Sequence, residues 1–270
     1  VQYGSLLQHG ICYAGRLPEK KKGRIGTEKK DGEQMTVALC LITWNELEGC
    51  KHDIPLIDRN QFEQIYCIDG GSTDGTVEYL TEQGIPVYPQ TAKGLNQACK
   101  DGADRCTCDA FVFYHPKGSI PVEDTYRFRE YFEADYDLVV GSRMMKDSVN
   151  EEDGKLLKPR KWFVLGLGLF ASILFRKEGY RVRDVLHGFR GMKKDSFMKL
   201  GISDMSPSID IEMVCRCYKF RLRCVEFPTK EQERIAGSTH FKAFPTGKKL
   251  LKYIFWEIGR DKDSSKGKVA

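Results

Sequence analysis

Five short stretches of this chain are rich in apolar and β-branched residues, and polar or helix-periodic stretches alternate with them. TVALCLITW (36–44), FEQIYCID (62–69), IPVYP (85–89), DAFVFYH (109–115) and DLVVGSR (137–143) read as strands. VEYLTEQG (77–84), GLNQACKDGADRC (94–106) and VEDTYRFREYFEA (122–134) read as helices. Strands that are apolar on both faces, separated by helices, belong in a mostly parallel sheet covered on both sides, a Rossmann-like α/β architecture. A hydrophobic content of 41% over 270 residues is enough to build that core.

In such sheets ligands bind beyond the carboxyl ends of the strands. The informative residues are therefore Thr43, Asn45 and Glu46, then Asp69 to Asp74, then His115 and Lys117, then Ser142 and Arg143. IDGGSTDGT (68–76) combines a strand-terminal carboxylate, two glycines that let a ligand approach the backbone, and Ser and Asp residues suited to helix capping. The same residues also make an ordinary ligand-free turn. Neither Gly-x-Gly-x-x-Gly nor Gly-Lys-Ser/Thr occurs, which excludes the usual dinucleotide fingerprint and the P-loop.

The net charge of +5 equals the charge of residues 16–30, RLPEKKKGRIGTEKK, with seven Lys or Arg against two Glu. No aromatic residue interleaves with them, so the block reads as a solvated arm and not as a nucleic-acid surface. The ten cysteines include no Cys-x-x-Cys pair, and Cys40 and Cys67 fall inside apolar runs as buried thiols. With no secretory signal read at the opening residues, the expectation is a reducing, cytoplasmic compartment. WFVLGLGLFASILF (162–175) is 14 residues long, short of the roughly 20 that span a bilayer. With basic residues at both ends it fits either an interfacial helix or a core helix. KKLLKYIFWEIGR (248–260) is amphipathic, with Leu250, Leu251, Ile254, Phe255 and Ile258 on one side.

TWNE (43–46), IDGGSTDGT and KGLNQA (93–98), in this order, resemble the family 2 glycosyltransferases with the GT-A fold. DLVVGSRM (137–144), RDVLHGFRGMKKDSF (183–197) and RIAGSTHF (234–241) are similar to stretches of dolichyl- and polyprenyl-phosphate sugar transferases. The resemblance covers about residues 36–243. It implies a GT-A domain at 35–245, with a basic extension at 1–34 and an amphipathic helix and tail at 246–270. It implies an inverting transfer from a UDP- or GDP-sugar to a polyprenyl phosphate or membrane-linked glycan, by a protein held peripherally at a membrane. Thr43, Asn45, Glu46, Asp69, Gly71 and Lys93 would face the donor. Arg143, Gly188, Phe189, Arg190 and His240 would serve the acceptor side, and Arg234 would fold over the diphosphate.

Two positions depart from the pattern. The family places Asp-x-Asp, its metal site, where this chain has His115-Pro116-Lys117, and a lysine where this chain has His240. Magnesium wants oxygen ligands, which Lys117 does not offer, so no metal cofactor is expected. Lys117 would pair with the diphosphate directly, helped by Arg234 and His240, with His115 beside it in the donor-side and catalytic set. The alternatives are Mg²⁺ or Mn²⁺ held through His115 and a carboxylate from elsewhere, and a binding module without turnover. A lipid-phosphate acceptor needs no strong base, whereas a hydroxyl acceptor needs a carboxylate, for which Glu212 and Asp210 are the candidates, with Asp184 behind them.

Overall fold

The computed structural model describes residues 34–149, 159–236 and 243–260. Residues Gln34–Ala270 form one compact unit. The basic extension falls outside the described residues, as does His240.

The chain starts with β1 (Val37–Thr43), α1 (Leu47–Asp53), two short 3-10 turns, β2 (Gln64–Asp69), α2 (Thr76–Glu82) and β3 (Val87–Pro89). There follow α3 (Leu95–Arg105), β4 (Ala110–Tyr114), a 3-10 turn at Val122–Arg127, α4 (Phe128–Glu133) and β5 (Leu138–Ser142). The last third holds α5 (Pro159–Phe175), β6 (Arg190–Lys193), α6 (Lys194–Leu200), α7 (Ile209–Phe220), β7 (Cys224–Pro228) and α8 (Ala243–Ile258). All five strands expected from sequence are present, and the helix expected at 122–134 is split into a 3-10 turn and α4.

Among the described residues the sheet has seven strands in the order β3-β2-β1-β4-β6-β5-β7. β1 pairs in parallel with β2 and β4, and β5 with β7. Alternate β1 side chains enter two separate cores, Ala38, Cys40 and Ile42 on one face and Val37, Leu39 and Leu41 on the other. β4 does the same, with Phe111 and Phe113 opposite Ala110, Val112 and Tyr114. This double burial is why those strands read as unbroken apolar runs. Nine cysteines are free and buried among the described residues, Cys40 and Cys67 with them.

β6 runs antiparallel between β4 and β5, with Arg190 opposite both Phe113 and Val140. Its direction has a consequence for the site. Residues just before β6 arrive at the same sheet edge as residues just after β1, β4, β5 and β7. The stretch Asp184–Gly188 is thereby delivered to the edge where His115 and Lys117 leave β4.

Candidate active site

Two loops are stitched together at this edge. Gly70 donates its N–H to the Thr43 carbonyl (2.9 Å), Asn45 to the Ser72 hydroxyl (2.8 Å), and Thr73 to Asn45 Oδ1 (2.8 Å). Leu47 donates to Asp74 Oδ2 (3.0 Å), so a residue of the second loop caps α1. The Asp69 carboxylate, expected to face the donor, is instead turned into its own loop. It accepts from the Thr43 hydroxyl (2.8 Å), from the Gly71 and Ser72 N–H groups (2.8 and 2.7 Å) and from the Ser72 hydroxyl (2.6 Å). Thr43, Asp69 and Gly71 thus shape the loop, while Asn45, in a left-handed conformation (φ 53), sits exposed beside it. Lys93 is exposed on the β3–α3 loop.

The turn after β4 is held from three sides. Gly49 of α1 packs so tightly on it that a Cβ there would fall 2.2 Å from the Pro116 carbonyl oxygen. Asp53, buried at the end of α1, accepts from the Tyr114 hydroxyl and from the Gly118 N–H, both at 2.9 Å. The segment after β7 runs alongside, with Gln232 N–H on the Ser119 carbonyl (2.8 Å) and Ile235 N–H on the Lys117 carbonyl (3.2 Å). That segment brings Arg234 to Glu46, Nη2 to Oε1 at 2.5 Å. Lys117 is surrounded electrostatically by Glu46, Arg234, Glu231 and Asp210. Burial lowers its pKa, with Arg234 adding to the shift and the three carboxylates opposing it.

His115 lies against the loop before β6. A Cβ on Gly188 would sit 3.0 Å from His115 Nε2, so the absent side chain makes room for the imidazole. Burial and the neighbouring Lys117 ammonium push the His115 pKa down to about 3, keeping it neutral.

Arg143 is not open to an acceptor. Its Nε and Nη2 form a fork on Asp184 (2.9 and 3.0 Å), and its Nη1 reaches Glu231 (2.9 Å). Burial works against its charge, but the two carboxylates more than offset this and hold its pKa above the ordinary value. Arg190 and Phe189 also depart from the acceptor-side expectation. Phe189 is buried in the core, and Arg190 donates to the His187 carbonyl (2.8 Å) and pairs with Asp210 (3.2 Å). Glu212 does not fit a catalytic base. It is fully buried, accepting from Ser203, Ser208 and Arg260, and burial raises its pKa. Its neighbour Asp210 keeps part of its surface exposed, and its negative charge acts on Lys117.

Sequence reading missed three groups here. Asp53 lies in an unremarkable helix end, Glu231 carries no motif, and His187 sits inside the GFR stretch as an unweighed residue. His187 Nδ1–H donates to the Gly141 carbonyl (2.5 Å), and its Nε2 lies 3.8 Å from Glu231. Only their convergence at one edge marks them.

The donor set at this edge does not fit a divalent cation. Among the described residues no group of three or more His, Cys, Asp or Glu is placed to hold one. At the turn itself a neutral imidazole stands beside an ammonium, which repels a cation.

Three comparisons bear on this arrangement. Residues 44–201 match the family described as glycosyl transferase family 2. The chain is 26% identical over 204 residues to glycosyltransferase AglJ of Haloferax volcanii, covering 74% of this chain and 65% of that protein, just under two thirds of its length. Among solved structures, it superposes on glucosyl-3-phosphoglycerate synthase from Mycobacterium tuberculosis in complex with Mn²⁺, UDP and glucosyl-3-phosphoglycerate. That match has a TM-score of 0.62 at 15% identity and covers 84% of this chain and 81% of that one. The same enzyme with Mg²⁺ and UDP gives 0.60 at 13%, covering 84% and 80%. At this identity the likeness establishes the GT-A fold alone. With more than half its length matched and the fold in agreement, the chain belongs to glycosyl transferase family 2.

Proposed function

We propose that this protein is an inverting glycosyltransferase that moves a sugar from a UDP- or GDP-sugar to a polyprenyl phosphate or membrane-linked glycan, with Lys117 and Arg234 in the metal's place. The observation that carries the reading is Lys117 itself: an ammonium at the end of β4, beside Arg234 and among Glu46, Glu231 and Asp210.

In the reaction the bond between the sugar anomeric carbon and the diphosphate oxygen breaks, and its electron pair leaves with the nucleoside diphosphate. An acceptor oxygen forms the new bond from the opposite face. Negative charge grows on the leaving group, and fixed cations in a water-poor site stabilise it more than water does. Arg234, held by Glu46 without donor, exchanges that carboxylate for the diphosphate, and Lys117 supplies the second cation. A phosphate acceptor arrives anionic and needs only orientation. For a hydroxyl acceptor, the partly exposed Asp210 takes the proton. His115, neutral and seated on Gly188, and the Arg143–Asp184–Glu231 network keep this edge in shape.

The test is turnover of a panel of UDP- and GDP-sugars with polyprenyl phosphate, first in EDTA and then in Mn²⁺. EDTA-resistant turnover that collapses in Lys117→Ala supports the reading. Strict metal dependence overturns Lys117 as the substitute, and donor binding without turnover in either condition leaves a binding module.

A further inference from the structure

α5 and α8 lie side by side, and their outer faces form one apolar surface. Phe163 of α5 touches the position of Gly247, and Phe170 meets Phe255 with ring centroids 6.2 Å apart. The two helices therefore run in the same direction. On α5 the outer stripe is Trp162, Gly166, Leu169 and Ile173, spaced as one helix face. On α8 the apolar side expected from sequence divides. Leu250 and Ile254 are buried against the domain, together with Tyr253 beside them, while Leu251, Phe255 and Ile258 face outward. Ile173 is 71% exposed, Phe255 62% and Trp162 58%.

α8 is fixed in this pose by buried charge pairs. Arg260 bonds Glu212 of α7 (3.0 Å), and Glu257 accepts from Arg216 (3.2 Å) and pairs with Lys219 (3.0 Å). Its outer face is thus a built feature and not a loosely docked end.

The charge around the surface is predominantly basic among the described residues, and the exposed Glu178 after α5 lies 3.7 Å from Arg221. Lys248, Lys249 and Lys252 lie on the outer face of α8, Arg160 and Lys161 at the start of α5, and Arg176 and Lys177 just after it. α5 contains no acidic residue, and the only one in α8, Glu257, is buried. Next to Leu169 a cavity of about 270 Å³ opens between α5 and residues 181–183, walled by Leu165, Gly166, Leu169 and Val182, with exposed Arg181 and Arg183 among its walls. No helix among the described residues is long and apolar enough to cross a membrane.

We infer that the joint outer face of α5 and α8 seats on an anionic phospholipid surface, its aromatic and aliphatic side chains entering the acyl boundary and its lysines and arginines meeting the phosphates. A large apolar patch marks an interaction site, and a fringe in which the exposed Lys177, Lys249, Lys252, Arg181 and Arg183 outnumber Glu178 selects a polyanionic surface over a neutral one. This deepens the membrane element of the function proposed above, and it is tested without turnover, so either can fail alone.

The experiment is sedimentation of the full chain with phosphatidylcholine vesicles, with and without phosphatidylserine. The expected result is binding to the anionic vesicles that weakens with salt, with a blue shift in emission that Trp162→Phe reduces. Lys249→Glu with Lys252→Glu is expected to weaken binding roughly tenfold or more. Ile173→Asp with Phe255→Asp is expected to abolish it while leaving the thermal transition and circular dichroism unchanged. A wild-type chain that stays in the supernatant with anionic vesicles overturns the inference. So does equal binding by the Ile173/Phe255 variant, or a solution dimer that this variant dissolves in a chain with no vesicle affinity.

Discussion

Asp53 accepts the Gly118 N–H at 2.9 Å, and the same oxygen accepts the Tyr114 hydroxyl at the same distance. One buried carboxylate on α1 therefore ties the strand that ends at Tyr114 to the turn that carries Lys117. Replacing it with asparagine puts an amide in place of one carboxylate oxygen. Asp53→Asn is expected to cost about 1–3 kcal/mol of stability, the penalty for an imperfectly paired buried group. Chemical denaturation measures this, and donor affinity in the same variant is expected to fall because Lys117 loses its aim.

Lys117→Ala is expected to lower turnover in EDTA by about 10²–10³, the loss seen when one stabilising group at a developing charge is removed. The variant should remain folded, since the lysine is only partly buried. Single-turnover rates compared with equilibrium donor binding separate loss of chemistry from loss of affinity.

Gly188→Ala places a methyl 3.0 Å from His115 Nε2, closer than two such atoms normally lie. The imidazole must give way, at a cost of about 1–2 kcal/mol. His115→Ala on top of it is expected to restore part of that loss, and a double-mutant cycle in denaturant checks the coupling.

His115 also makes stability depend on pH. Its pKa is about 3 in the folded protein, against 6.5 for an ordinary histidine. Between these values the unfolded chain binds the proton and the folded one does not, so stability falls as the pH drops from 6.5 towards 3. The slope from this residue is at most about 1.4 kcal/mol per pH unit. Above 6.5 the contribution is constant. Melting curves at pH 7 and pH 5 should show a smaller loss for His115→Gln than for the wild type.

Glu212→Gln separates structure from catalysis. The change weakens a buried partner of Arg260 and is expected to cost roughly 3 kcal/mol. Turnover per folded molecule should be unchanged, as measured at a temperature below the lowered transition. A large drop in kcat at full folding would return Glu212 to the reaction.

The sequence by itself determined the sheet's parallel half and the edge at which the candidate site lies. Strands buried on both faces must be apolar throughout, and that pattern is local, so β1 to β5 were legible from Thr36 to Arg143. The place of His115-Pro116-Lys117 was legible too, because the apolar run of β4 stops at Tyr114. Tertiary structure decided what faces what. The antiparallel β6 turns the chain around, so Gly188 lands on His115 and Asp184 on Arg143, across 73 and 41 positions. Long-range pairing also decided which carboxylates are occupied. Asp69 is held by its own loop and Thr43, Glu212 by Arg260, Glu231 by Arg143 and Asp210 by Arg190, while Asp53 reaches the Gly118 N–H beside Lys117. A carboxylate in a sequence shows only its charge. Its role depends on which donors reach it, and those donors come from strands and helices far away along the chain.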